Sequence, residues 1–419
     1  MRVDVADIKS TSPLDCPDTY LNLAFETLDS QQRKMRVVLV NLGPTIESRG
    51  GVERIFISMA NELVGKGHRV TALCFDAKIG KPAFALDKRV DFRNTGRGFP
   101  LFLKSPWKNI LSWRVDKNER KLQRELLSVR WKARVLSPIL KKLSSETDVF
   151  VAFQMQSAWT VRKALGEEVP LITMFHSHPK VYMSSLIWKT YESAVDSSDI
   201  LTVLMPSYIR EVCSRLRNVK VLSVPNPVEI SSRQAVLEEK VIVCVARLSR
   251  EKTAELLIDA WALLHEKYAD WRIEWWGGLV ESPNYVEEIR DRIREKGVSD
   301  SFCLCGTTDM VNEKMLSASV FAFPSSYEGF PLALTEAMAC GLPVVGRTDC
   351  SGVNELVRDG ENGFLVPPDA RLWASALEKL MTDYDLRTRM GSKARESVRK
   401  YNPKHIWDLY LGSLGEGDF

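Results

Sequence analysis

Short runs rich in β-branched residues alternate along this chain with segments whose apolar residues recur every three or four positions, and they do so in two successive series. The first series opens at Arg36–Asn41 (RVVLVN). A loop, GPTIESRGG, then leads to a helical pattern carried by Val52, Ile55, Phe56, Met59, Ala60 and Leu63. Gly65 and Gly67 close that helix, and HRVTALCF at 68–75 reads as the next strand. A strand, a helix and a second strand of this length imply a parallel sheet with right-handed crossovers. Further strand-like runs lie at 148–154, 170–175, 200–204 and 220–224. After Val-Pro-Asn-Pro at 224–227 comes a polar stretch, 229–240, that reads as a linker. The second series follows, with strands expected at 241–246, 272–276, 301–305, 319–323 and 343–346. Such alternation predicts an α/β fold of two facing Rossmann-like domains, at 35–228 and 229–402. Residues 1–34 read as an extension, and 403–419 as a helix that docks back on the body.

At 419 residues, the chain is long enough for two such cores. No segment approaches the roughly 18 consecutive apolar residues that a membrane-spanning helix needs. The N-terminus has acids from the fourth residue and no apolar core of a secretory signal, so a cytoplasmic protein is expected. Eight scattered cysteines include no C-x-x-C, and the five histidines include no H-E-x-x-H. Reduced thiols, no cofactor and no metal are the expectation.

In doubly wound sheets, ligands sit beyond the carboxyl ends of the strands, so residues just after strands carry the chemistry. The most informative stretch is FPSSYEGFPLALTEAMACGLPVV at 323–345. A strand ends near Phe323, a turn carries Glu328 and Gly329, and a helix begins near Pro331. The N–H groups around Phe330, Leu332 and Ala333 would offer an anion site with the favourable end of the helix dipole. Glu336, eight positions after Glu328, could reach hydroxyl groups of a ligand held there. The second stretch is VARLSREK at 245–252, where Arg247 and Lys252 follow a buried strand and could neutralise a diphosphate. Arg250 is the rival cation.

The glutamate pair inside EGFPLALTEAMACGLPVV resembles the signature of the family 4 retaining glycosyltransferases, with Pro331 where a second glycine is usual. The resemblance implies a GT-B fold, a donor-sugar contact at Glu328, a ribose contact at Glu336, and backbone contacts around Gly329, Phe330, Pro331 and Leu332. VARLSREK is similar to the family's G-R-L-x-x-x-K segment, which implies that Arg247 and Lys252 bind the donor diphosphate. Gly50-Gly51 before Val52, Glu53 and Arg54 resembles the family's glycine-rich segment near the donor phosphate and the acceptor. His176 in MFHSHP falls where family members touch the transferred sugar, with His178 as second choice. Trp276-Gly277-Gly278 resembles a family turn, and Gly306 with Thr307 matches the region that frames the nucleobase.

Net charge is only +4, yet twelve Lys or Arg and three acids fall between Lys104 and Lys142. Leu122, Leu126, Val129, Ala133, Leu136 and Leu140 give 117–143 one apolar seam, bent or divided at Pro138. A helix packed on the sheet with a solvated basic face is the plainer expectation. Contact of 99–143 with an anionic membrane is the sharper one, helped by Phe99–Leu103, Trp107 and Trp113. No nucleic-acid-binding motif accompanies the charge. The resemblance implies transfer of a sugar from a nucleotide-diphosphate donor, UDP-linked by expectation, to a saccharide or polyprenyl-linked saccharide at the inner face of the cell membrane. A sugar-nucleotide epimerase of the same fold and a catalytically silent sugar-nucleotide-binding protein are the alternatives.

Overall fold

The structure, a computed structural model, describes residues 34–95, 117–278 and 283–415. Residues 1–33, the stretch 96–116 with Trp107 and Trp113, 279–282 and 416–419 lie outside the described residues.

Seven parallel strands form the first sheet: β1 (Arg36–Asn41), β2 (Arg69–Cys74), β3 (Asp91–Asn94), β4 (Val149–Phe153), β5 (Leu171–Met174), β6 (Ile200–Val203) and β7 (Lys220–Ser223). Their spatial order is β3-β2-β1-β4-β5-β6-β7. β1 is an interior strand, with Val38 opposite Thr71 of β2 and Phe150 of β4, and is buried on both faces beyond its first residue. A continuous apolar run is what a parallel strand covered by helices on both sides requires. The second sheet contains β8 (Val241–Val245), β9 (Arg272–Trp276), β10 (Phe302–Gly306), β11 (Val320–Phe323), β12 (Val344–Arg347) and β13 (Gly363–Val366). Its order is β10-β9-β8-β11-β12-β13.

Strand order reverses between β1 and β4 in the first sheet and between β8 and β11 in the second. These reversals open a crevice at the carboxyl ends, and each motif residue after β1, β8 or β11 is delivered to one of them. β3 (DFRN) and β13 (GFLV) escape the periodicity reading because both are four-residue edge strands with weak alternation.

Helix α1 (Gly51–Gly65) follows β1 and buries Ile55, Phe56, Met59 and Leu63 against the sheet. Gly67, at φ +90°, turns the chain out of it. Helix α2 (Lys117–Ser144) is one continuous helix and is not divided at Pro138. Its seam of Val129, Ala133, Leu136 and Leu140 is buried. It packs on α3 (Met155–Leu165), which follows β4. Shorter helices after β5 and β6 are α4 (Pro179–Met183), α5 (Trp188–Asp196) and α6 (Ser207–Cys213).

In the second half, α7 (Ala254–Ala262), α8 (Pro283–Glu295), α9 (Val311–Leu316), α10 (Leu332–Ala339), α11 (Val353–Leu356), α12 (Ala370–Thr382) and α13 (Tyr384–Val398) flank the sheet. The polar stretch 229–240 has no regular element. Arg395 of α13 donates to the carbonyls of Ser231 and Arg233, and Arg387 to that of Leu237, so it is fastened along this helix. The last helix, α14 (Pro403–Gly415), returns to the first sheet. Its Ile406, Trp407, Tyr410 and Leu411 share a buried cluster with Val37, Leu39, Phe56 and Met59.

Among the described residues, no helix is long and apolar enough to cross a membrane, and no group of three or more His, Cys, Asp or Glu is placed to hold a metal ion. The seven cysteines described are all free.

Candidate functional site

The second sheet presents its cations and carboxylates from adjacent strand ends. β8 ends at Val245, and the chain runs through Arg247 into a 3-10 turn, Arg250–Lys252. β11 ends at Phe323 and leads to Glu328. Two cross-links sew these loops together. Ser326 donates both its N–H (2.8 Å) and its hydroxyl (3.0 Å) to the Glu251 carbonyl, and the Thr253 hydroxyl donates to the Pro324 carbonyl. Thr253 is itself left-handed, at φ +41°, which turns the chain from the 3-10 turn into α7. Lys252 Nζ thereby meets Glu328 Oε1 at 2.5 Å, with the two side chains only 13% and 12% exposed. The ammonium also lies 5.9 Å from the Phe323 ring centroid.

Arg247 is the opposite case. Its side chain is 65% exposed and touches Glu251 only at 3.8 Å, so its guanidinium is free to turn toward a ligand. Arg250 points away, onto Glu288 at 3.0 Å and the Tyr285 ring at 4.5 Å. A close backbone approach fixes the floor here. A Cβ on Gly277 would sit 1.9 Å from the Ala246 carbonyl oxygen, and the Ala246 N–H bonds to the Trp276 carbonyl at 2.9 Å. Gly306 ends β10 at φ +74° and accepts from the Gly277 N–H at 2.8 Å, with Thr307 exposed beyond it.

Pro331 is not the first helical residue of α10 but the residue before it, in extended conformation (φ −76°, ψ 91°). Phe330 turns its ring into the core against Tyr401, leaving only its backbone toward the crevice. The N–H groups of the first turn of α10 have no partner within the helix, as at any helix start. Glu336 lies on the second turn, and its carboxylate pairs with Arg54 of α1.

That pair crosses from one sheet's unit to the other, and it is not alone. Arg49 pairs with Asp309, and a Cβ on Gly51 would lie 3.4 Å from Leu332 Cδ1. Farther along, Tyr208 of α6 donates to the Gly329 carbonyl at 2.9 Å, and the Tyr327 hydroxyl to the His178 carbonyl at 3.3 Å. A Cβ on Gly329 would stand 2.8 Å from Ser177 Cα. The turn after β11 therefore presses directly on the loop after β5, and only glycine fits.

His176 sits on that loop, its ring stacked on Phe153 at 5.0 Å. Both ring nitrogens are buried without a hydrogen-bond partner among the described residues. Burial pushes its pKa down to about 3, so the ring is neutral at ordinary pH. His178 has a structural position. Its Nδ1 accepts from the Lys180 N–H at 3.1 Å to cap α4, and its ring packs on Tyr208. At the other reversal, Asp76 accepts from the N–H groups of Thr45, Ile46 and Lys78. Burial works against its charge, but these bonds outweigh it and hold the carboxyl below its usual range. Gly50 leaves room for Glu53, whose carboxylate folds back over it.

Candidates from the two halves of the sequence thus converge on one crevice. Lys252, Glu328, Glu336, Arg247, Gly329 and Leu332 lie on the second sheet's side and Gly51 on the first, with the His176 ring buried beneath the loop that Gly329 presses on. Tyr208, Tyr327 and the pairing of Arg54 are not among the candidates that the sequence motifs offer. Tyr208 follows β6 in Met-Pro-Ser-Tyr, so the strand-end rule applied there would have found it.

Two family models match. One, described as glycosyl transferases group 1, matches residues 228–397, and one described as Glycosyltransferase Family 4 matches 49–232. Together they span well over half of the chain. The chain belongs to the family 4 glycosyltransferases. It is a glycosyltransferase of the GT-B type, acting in glycan biosynthesis.

An uncharacterized glycosyltransferase of Haemophilus influenzae is 25% identical over 91% of this chain and 100% of its own. A Campylobacter jejuni relative, 23% identical over 88% of this chain and 95% of its own, is named as an α-1,4-N-acetyl-D-galactosaminyltransferase acting on an undecaprenol-diphosphate-linked saccharide. The solved structure of Anabaena HepE with UDP and glucose matches the fold with a TM-score of 0.68. It is 17% identical, over 91% of this chain and 100% of that one.

Proposed function

We propose that this glycosyltransferase moves a sugar from a UDP-sugar to a hydroxyl of a saccharide or lipid-linked saccharide, with retention at the anomeric carbon. The observation that carries this reading is the Lys252–Glu328 pair, held at the second reversal point beside the start of α10. The bond from the anomeric carbon to the diphosphate oxygen breaks, and its electron pair stays on the diphosphate. Lys252, the exposed Arg247 and the N–H groups opening α10 stabilise that charge. The acceptor oxygen bonds to the same face of the sugar, and its proton passes to the leaving diphosphate. No metal or cofactor has a part in this scheme.

Glu336 takes the ribose hydroxyls, for which it exchanges its contact with Arg54. Glu328 and the uncharged His176 contact the transferred sugar. The His176 nitrogens suit hydroxyl groups because nothing described on the protein satisfies them. Backbone around Gly306 and Thr307 frames the base, and Gly51 faces the phosphates. UDP is favoured by the Anabaena complex, and a lipid-linked acceptor by the name of the Campylobacter relative. An acceptor of that kind would bring the basic stretch 99–143 to an anionic membrane.

The test is UDP release from a panel of UDP-sugars with and without saccharide acceptors. Release that requires acceptor, with the donor's anomeric configuration kept in the product by NMR, is the expected result. Conversion of the nucleotide sugar without acceptor would make the protein an epimerase, and donor binding without turnover a silent binder.

A further inference from the structure

A groove of about 490 Å³ runs along the outer face of the first sheet's unit, between α2 and α3. Arg130, Arg134 and Lys141 line it from α2 and Lys163 from α3, with Trp159 and Pro138 among its walls. Arg130 and Arg134 are one helical turn apart, so both project to the same side. None of the four cations has an ion-pair partner among the described residues, and no carboxylate lines the groove. Unpaired cations gathered in a concavity repel one another, an arrangement that an anionic occupant relieves. Trp159 is held edge-on against Tyr191 at 6.3 Å and offers a fixed ring beside the charges.

We infer that this groove docks the enzyme on an anionic bilayer by receiving phosphate headgroups of its lipids. Four separate positive centres around a concave wall match a field of phosphates, and a Trp ring with one apolar and one wet side suits the headgroup level. Docking here also reaches the crevice. Lys132, on the side of α2 turned toward the sheet, donates to the Leu42 carbonyl at 2.8 Å in the loop after β1, and Trp131 packs on Phe75 at 5.2 Å. The helix that holds the bilayer is thus fastened to the loop leading to Gly51. The inference deepens the reading of a lipid-linked acceptor and narrows the contact within 99–143 to one face of α2 together with α3.

The experiment is co-sedimentation of the full chain with vesicles of phosphatidylcholine and phosphatidylglycerol in equal parts, and with phosphatidylcholine alone. Arg130→Glu with Arg134→Glu is compared with Arg120→Glu with Arg124→Glu, on the same helix but outside the groove. Binding to the mixed vesicles only, reduced at least about tenfold by the groove pair and less by the other, is expected. Equal binding to both vesicles, full binding by the groove variant, equal loss in both variants, or retention on RNA without vesicle binding would overturn it. UDP release with a soluble acceptor is read on the same proteins. Vesicle binding without any UDP release removes the transferase scheme and leaves the docking, whereas release unchanged beside absent vesicle binding removes only the docking.

Discussion

On the second sheet, Arg247, Lys252, Glu328 and Glu336 come from two neighbouring strand ends, β8 and β11, tied by Ser326 and Thr253. On the first, Gly51 and Arg54 at a helix start reach the crevice by contacts across it, while His176 is held within its own sheet's unit by Phe153. One side is thus locally determined, by turns within a few residues of each group. The other depends on how the two sheets are brought together. Chemistry that must not shift, stabilising a leaving diphosphate, is proposed for the first kind of construction.

The largest effect is expected on the local side. Lys252→Ala should lower turnover by on the order of 10²–10³-fold, with the circular dichroism spectrum unchanged. Wild-type turnover would break the distinction between the two sides. Next comes the contact that joins them. Gly329→Ala places a methyl 2.8 Å from Ser177 Cα, so the turn after β11 must move away from the His176 loop. A loss of about 10–100-fold in kcat, read by UDP release, is expected from misplacing reacting groups across the crevice.

How much of this was readable follows the same division. The alternation located eleven of the strands, because their β-branched runs lie between helical segments, while β3 and β13 were missed as short polar or glycine-led edges. The contiguous motif at 323–345 pointed to Glu328 and Glu336, since a strand, a turn and a helix start fix their places locally. Nothing local could pair Arg54 with Glu336, nor show that Gly329 is squeezed by Ser177, since both need the docked sheets. The unsatisfied state of His176 was likewise hidden, because burial of its nitrogens is set by Phe153 and the surrounding loops.

A smaller, pH-dependent effect belongs to the His176 side. Its folded pKa, about 3, lies below the usual value near 6.5. Its neutral form therefore favours the fold fully above pH ~6.5, and that contribution is lost as pH falls toward the folded value, since the unfolded chain takes up the proton first. Thermal midpoints should drop between about pH 6 and 4 more steeply in the wild type than in His176→Phe. Parallel curves would contradict the burial. The rate profile should likewise show no limb near pH 6.5 that His176→Asn removes. Smallest of all is the exposed Arg49–Asp309 pair, whose loss in Arg49→Ala should change stability by no more than about 0.5 kcal/mol in urea unfolding.

In the proposed scheme the second sheet's strand ends hold the donor, with Glu336 on the ribose and Arg247 and Lys252 on the diphosphate. Calorimetric titration of UDP into the wild type, Glu336→Gln and Arg247→Ala tests it most directly. Binding to the wild type, weakened at least about tenfold in each variant, is the expected result. UDP bound equally well by all three proteins would contradict it.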